Sequence, residues 1–193
     1  MKVLRSADYR RMPWKNGGGE TVEIAVFPPS ASVDDLDWRI SMATVATDGP
    51  FSIFEGVDRT LCVLSGEGIG LSMQGRLPVS LTRQSDPHAF PADLPTSAHL
   101  IGGPITDLNV MTRRGRFVHR VRLERGMHRV LVSPEAATTV VVTAGRCRIA
   151  RDGLVLEPLD AVILEAGDDT LSLQPENAVG IIIAAINRVV PGT

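Results

Sequence analysis

Histidine is scarce in this chain and poorly spaced for holding a metal. The four, His88, His99, His119 and His128, are never closer than nine positions. There is no HxH, no HExxH and no pair at helical spacing, so the sequence predicts no iron, manganese or zinc centre. Cysteine is scarcer still. Cys62 and Cys147 lie far apart inside apolar runs and form no CxxC, which reads as two buried free thiols, with a disulfide or a reactive thiol as the alternatives. A basic excess is also missing. Lys+Arg number 20 against Asp+Glu 22, a formal net charge of -2, which argues against a nucleic-acid partner. Long hydrophobic runs are absent. The longest, Ala178–Ile186, is about half of the roughly 20 residues that a membrane span needs. Residues Met1–Arg11 contain no apolar signal core, so a secretory leader is excluded and a cytoplasmic protein with no membrane partner is expected.

Sustained helical periodicity is missing as well. No window longer than about 12 residues keeps a 3.6-residue period without a breaker. What the 193 residues offer instead is a composition 44% hydrophobic and 22% charged, ordinary for a soluble globular chain. That length can bury roughly 70% of its unfolded surface without disulfides or metal. Period-two runs dominate, among them Thr21–Phe27, Trp38–Val45, Thr60–Leu64 and Thr138–Thr143, separated by 18 glycines and 13 prolines. Many short strands with frequent turn signals predict an all-β barrel or sandwich.

The pattern also repeats. Arg59–Ile69 lines up with Thr138–Arg148, each an apolar strand running to a glycine turn and a second strand. Each is followed by a short alternating run, Val79–Leu81 or Leu154–Leu156, and by another apolar run after a Pro/Asp loop. This reads as two copies of one β unit, the first ending near Arg114 and the second starting near Phe117. Arg113–Arg116 then serves as a solvated joint.

The densest candidate for chemistry is Met12-Pro13-Trp14-Lys15-Asn16-Gly17-Gly18-Gly19-Glu20-Thr21. Three glycines permit positive φ and let backbone N–H groups face a ligand. No Lys-Ser/Thr follows, so it is not a phosphate loop. A rim hairpin and a pocket wall both remain open. In Asp37–Ala43, alternation puts Arg39, Ser41 and Ala43 on one face and Ile40 and Met42 on the other. Arg39 can grip a carboxylate if that face looks inward, and is a solvated strand residue if it looks out. Phe51 and Phe54 read as core plugs before ligand stackers. Asp58-Arg59 is either an ion pair serving a pocket or a surface pair of little value. Asp107, Asn109 and Met111 share one side of another strand, and a buried Asn there must find hydrogen-bond partners. Gly66–Gly70 resembles a broken dinucleotide fingerprint, but no helix follows it. Asp34–Asp37 lacks the oxygens of a calcium loop and reads as solvated. No GxSxG elbow exists.

Met12–Ile24, Asp37–Ala43, Asp48–Gly56 with Asp58-Arg59, and Asp107–Gly115 together closely resemble the HutD/Ves family, over about the first 116 residues. The resemblance implies a double cupin, two β-barrels in one chain. Residues 1–115 form the first barrel with the pocket and 116–193 a second, degenerate one, with terminal strands open to exchange between them. It implies a link to bacterial histidine utilisation through binding of a small intermediate, a stress-induced role on the Ves side, and no cupin metal histidines. Carried over position by position, it implies a site of Trp14, Lys15, Asn16, Gly17, Arg39, Ser41, Arg59, Asn109 and Met111. Glu55 departs from the proline that many relatives have there. The expectation is a cofactor-free and metal-free binder of a small carboxylate such as urocanate, formiminoglutamate or formylglutamate. Arg39 and Arg59 would hold carboxylates, Asn16 and Asn109 an amide or formyl group, and Trp14 would close the wall. The alternative is an enzyme, an isomerase or hydrolase using Lys15, Asp58 or His99 as acid or base. A homodimer is among the states open to either.

Overall fold

Alternation and β-branched residues dictate strands along nearly the whole chain, and strands are what the computed structural model shows. It describes residues 1–14 and 17–190. Among them a single 3-10 turn, Ser6–Asp8, accompanies nineteen strands. The first eleven are β1 (Lys2–Leu4), β2 (Arg10–Pro13), β3 (Gly19–Phe27), β4 (Trp38–Val45), β5 (Gly49–Pro50), β6 (Val57–Ser65), β7 (Ile69–Met73), β8 (Val79–Leu81), β9 (His88–Pro91), β10 (Thr96–Leu100) and β11 (Ile105–Arg113). The rest are β12 (Phe117–Gly126), β13 (Val130–Val132), β14 (Thr138–Thr143), β15 (Cys147–Ile149), β16 (Val155–Leu156), β17 (Ala161–Glu165), β18 (Leu171–Pro175) and β19 (Val179–Arg188). Among the described residues no helix is long and apolar enough to cross a membrane.

The chain divides into a unit of Arg10–Val118 and a unit of Met1–Tyr9 with His119–Thr193. In the first, one sheet runs β2-β3-β4-β11-β6-β9 and the other β5-β10-β7-β8. In the second, the orders are β1-β17-β14-β19-β12 and β13-β18-β15-β16. Dropping the flanking strands β1, β2 and β3, the second set repeats the first strand for strand. β12, β19, β14 and β17 stand for β4, β11, β6 and β9, and β13, β18, β15 and β16 for β5, β10, β7 and β8. The echo read between Arg59–Ile69 and Thr138–Arg148 is the β6–β7 turn matched to the β14–β15 turn. The first nine residues, placed with the first barrel on sequence, belong to the second unit: β1 pairs antiparallel with β17, Val3 opposite Val162.

Each unit encloses its own apolar core. Leu61, Ile69, Leu71, Phe90 and Ile105 anchor the first, and Val141, Ile149, Leu164, Leu173 and Ile183 the second. Cys62 and Cys147 are buried and form no disulfide with each other, and burial pushes the Cys147 thiol up to about 11.

The glycine run is where sequence and structure part. Gly17 adopts φ +70° in the turn, its N–H bonded to Trp14 O at 3.1 Å, while Trp14 N–H bonds Gly19 O at 2.9 Å. This is the β2–β3 hairpin. A Cβ on Gly19 would sit 2.0 Å from the backbone oxygen of Thr44 and 3.1 Å from the Trp14 ring. Gly19 is needed for close backbone approach of β3 to β4. Gly19→Ala is expected to cost roughly 2–4 kcal/mol, because backbone has to move. Gly70→Ala should cost much less, since the atoms it meets belong to the movable His99 ring. Paired thermal melts check this; equal losses would refute it.

Candidate functional site

Cross-strand partners in an antiparallel sheet share a face, so the register assembles the site. β4 and β11 pair Arg39 with Met111, Ser41 with Asn109 and Ala43 with Asp107. β11 and β6 pair Met111 with Arg59, Asn109 with Leu61 and Asp107 with Val63. On the other side β3 sets Glu23 opposite Ser41 and Thr21 opposite Ala43. A bulge between Glu23 and Ala25 shifts the register next to Arg39 and lets Glu23 reach its guanidinium. Arg39 and Arg59 thus flank Met111, their Cα atoms two strand spacings, roughly 10 Å, apart.

This face floors a cavity of about 670 Å³, within the range of small-molecule sites. Trp14, Phe51 and Phe54 wall it, and Arg39, Arg59, Asp107 and Asn109 supply its deep polar groups. Arg39 Nε donates to Glu23 Oε2 at 2.9 Å, a half-hidden ion pair. Arg59 is different. It is 7% exposed, its Nε has no hydrogen-bond partner among the described residues, and its Nη2 reaches the Met111 sulfur at 4.0 Å. The rings of Phe54, Phe51 and Phe90 surround its Cζ at 5.1, 5.3 and 5.8 Å. Such contacts are worth about 0.5–2 kcal/mol each, less than the several kcal/mol of burying a cation without an oxygen partner. Burial lowers the Arg59 pKa to about 10, with Asp107 opposing and Arg39 reinforcing the shift.

Asp107 is 1% exposed and makes no direct ion pair among the described residues. Its Oδ1 accepts from Asn109 Nδ2 at 2.6 Å. Burial pushes its carboxyl up to about 7, against the pull of Arg59 and the hydrogen bonds from Asn109 and the Ala43 backbone. Bonding through nitrogen leaves Asn109 Oδ1 buried without a partner. The site therefore presents a buried guanidinium with an unbonded Nε, an unpartnered amide oxygen and a carboxyl that burial pushes up to about 7.

The sequence model of the HutD family matches residues 6–182. The chain belongs to the HutD family. A relative from Pseudomonas putida, an uncharacterized 21.2 kDa protein in the hutC 3′ region, is 34% identical over 179 residues, 90% of this chain and 92% of that one. Protein Ves of Citrobacter koseri is 41% identical over 120 residues, 60% of this chain and 61% of its own length. The structure of HutD from Pseudomonas fluorescens SBW25, obtained in a formate condition, matches with a TM-score of 0.81 at 29% identity, covering 98% of this chain and 99% of that one. Oxalate decarboxylase of Lactobacillus farciminis, in a formate complex, is 7% identical with a TM-score of 0.63 over 97% of this chain and 86% of its own. That last likeness concerns fold alone, and the fold is the double cupin. The HutD match runs through both units, well past the first 116 residues that carry the recognisable motifs.

Of the residues singled out in the HutD motifs, Trp14, Arg39, Ser41, Arg59, Asn109 and Met111 line the one cavity. Gly17 does not; it makes the hairpin turn. Lys15 and Asn16 lie outside the described residues. Of the acid–base candidates, Asp58 pairs with Arg114 at 2.7 Å, since neighbours on a strand point oppositely and Asp58 cannot serve Arg59. His99 is exposed on β10, its ring lying over Gly70. Neither lines the cavity. Phe51 and Phe54 pack against buried core residues as read, and they also wall the cavity and face Arg59. Glu23 and Asp107, the carboxylates that balance the arginines, were passed over. Asp107 shares parity with Asn109 and Met111, which was the available signal.

Two stretches read as solvated are also tied down. Asp37 is buried and pairs with Arg116 at 2.8 Å. Arg113 donates to the carbonyls of Asp34, Glu55 and Leu36 at 2.6, 2.9 and 3.2 Å. The strand end that follows Asp107 and Asn109 thereby clamps the two loops that bring Val33 and Phe54 to the mouth. In the second unit a smaller hollow, about 340 Å³, is lined by Val132, Thr139, Ile183 and Ala185 with Arg122 and Glu135 at its polar side. Among the described residues no three His, Cys, Asp or Glu side chains cluster as metal ligands would.

Proposed function

We propose that this HutD-family chain is a cytoplasmic binding protein for a small carboxylate metabolite and that this binding regulates histidine utilisation. The observation that carries the reading is Arg59, a buried guanidinium lining the cavity whose Nε has no hydrogen-bond partner among the described residues. A ligand carboxylate is the group that such a cation lacks. Arg39, held at one nitrogen by Glu23, supplies the second positive charge. The family name and the hutC-region relative support the histidine connection. Urocanate, formiminoglutamate and formylglutamate fit the chemistry: each joins a carboxylate to a planar nitrogen-bearing group that can face the aromatic wall and donate to Asn109 Oδ1.

Calorimetric titration with these three acids tests it. At least one is expected to bind, with affinity reduced roughly tenfold to a hundredfold in Arg39→Gln, the equivalent of a charge-assisted hydrogen bond. No binding by any, or unchanged binding in the variant, would sink the reading. Asp107 favours a second reading, a proton-transferring enzyme, because a cavity carboxyl near neutrality suits general acid–base work. NMR of each acid incubated with the protein separates the two: product formed by the wild type and lost in Asp107→Asn would establish turnover.

A further inference from the structure

Without a ligand, the charges deep in this cavity already cancel. Arg39 is matched by Glu23 at 2.9 Å, and Arg59 by the field of Asp107 across the Met111–Asp107 face of β11. An arriving carboxylate that takes Arg59 directly is a fifth charge, and it leaves the cavity with one negative charge in excess. In a cavity with little water, an unmatched charge is costly, and the usual remedy is to change a protonation state. Glu23 is already committed to Arg39 by a direct ion pair. Asp107 can supply that remedy, because it is more deeply buried and, among the described residues, its direct polar contacts are the Asn109 amide and the Ala43 backbone. Accordingly, we propose that a carboxylate ligand binds in this cavity together with one proton, taken up on the Asp107 side chain, so that the loaded site keeps the charge balance of the empty one. The proposal rests on the carboxylate-binding reading above and states how that binding is regulated.

The reaction balances simply: the ligand anion and one solvent proton enter, and the Asp107 carboxylate becomes a carboxylic acid. The neutral acid also gains an O–H that can donate to the ligand, which the carboxylate could not do. The other groups around Asp107 leave it as the proton acceptor. Arg59 on β6 stays cationic, since burial lowers it only to about 10, and Arg39 on β4 is engaged by Glu23. His88 on β9 lies two strands away on the same face, and burial and Arg76 hold its imidazole below the usual range, so it stays neutral. Asp48 at the mouth is exposed, with Oδ1 accepting from the Leu100 N–H at 2.7 Å. Burial already brings Asp107 up to about 7, so an added anion moves it through the neutral range.

Sodium formate and sodium urocanate serve as probes, titrated into wild type and Asp107→Asn between about pH 6 and pH 8.5 with NMR detection. Wild-type affinity is expected to fall by close to tenfold for each pH unit above about 7, the slope of one linked proton. In Asp107→Asn the profile should be flat, with binding at the alkaline end tighter than in wild type. Calorimetry on the wild type alone, in phosphate and in Tris, gives an independent measure, because proton uptake makes the apparent heat depend on the buffer. A flat wild-type profile with buffer-independent heat overturns the proposal while leaving carboxylate binding intact. So does a slope that survives in Asp107→Asn. Absence of binding by both anions at every pH removes the carboxylate reading and the proposal with it.

Discussion

Arg59→Met is expected to abolish carboxylate binding while leaving the fold at least as stable as before. Both halves follow from the same fact: this guanidinium lies 93% out of water with a sulfur and three phenyl rings for company. Removing it takes away the ligand's principal counter-charge. The loss is roughly 3 kcal/mol or more, above a hundredfold in affinity. The stability half runs against habit, since buried arginines usually hold structure together. Among the described residues no carboxylate stands within ion-pair distance of Arg59 to be abandoned. Methionine has similar length, packs well against the edges of Phe51, Phe54 and Phe90, and brings no desolvated charge. Asp107 loses its cationic neighbour and stays protonated to higher pH, so melts belong near pH 6. Unchanged or raised melting temperature with lost binding is the expected pair of results. A large fall in melting temperature would mean that Arg59 is structural.

Asp107→Asn should show its effect in the pH dependence of stability. In the unfolded chain an aspartate titrates near 3.8; in the fold burial holds it at about 7. Because the folded value is the higher one, the neutral form stabilises the fold. That contribution is fully present below about 3.8 and is lost as pH rises to about 7, beyond which nothing more is lost. The asparagine variant has no such loss and keeps the bond from Asn109 Nδ2. Its advantage over wild type should therefore grow between about pH 4 and 7 and then level off, reaching about 2–4 kcal/mol on the order of the shift. Denaturant unfolding at intervals across that range measures it. An advantage that shrinks as pH rises would show that Arg59 holds Asp107 ionised, and would reverse the assignment.

The parity of the strands was legible in the sequence, and parity is most of the site. Once Trp38–Val45 and Ile105–Arg113 are extended, Arg39 and Ser41 must share a face, as must Asp107, Asn109 and Met111. That the two faces are the same one depends on register, which the chain fixes through pairings more than 60 residues apart. The partner of Arg39 was hidden for a related reason. Glu23 meets it only because one extra residue is accommodated between Glu23 and Ala25, and a bulge leaves no mark in an alternating sequence. Arg113 misled in the opposite direction. An arginine-rich joint looks solvated when the carbonyls it will bind, on Asp34, Leu36 and Glu55, are far away in sequence and carry no side-chain signature. The glycines of residues 17–19 misled because one sequence signal serves two ends: room for a ligand and room for a neighbouring strand are the same empty volume.

Strand β1 carries a consequence for how the molecule is made. Its partner, β17, is translated some 160 residues later. At ribosomal speeds the delay is roughly 10–30 seconds. Through that interval β1 waits, while the contiguous stretch from Arg10 to Val118, cavity included, has every strand it needs. The unit that holds the larger cavity can therefore mature on the ribosome, whereas β1 finds its place only after β17 has emerged.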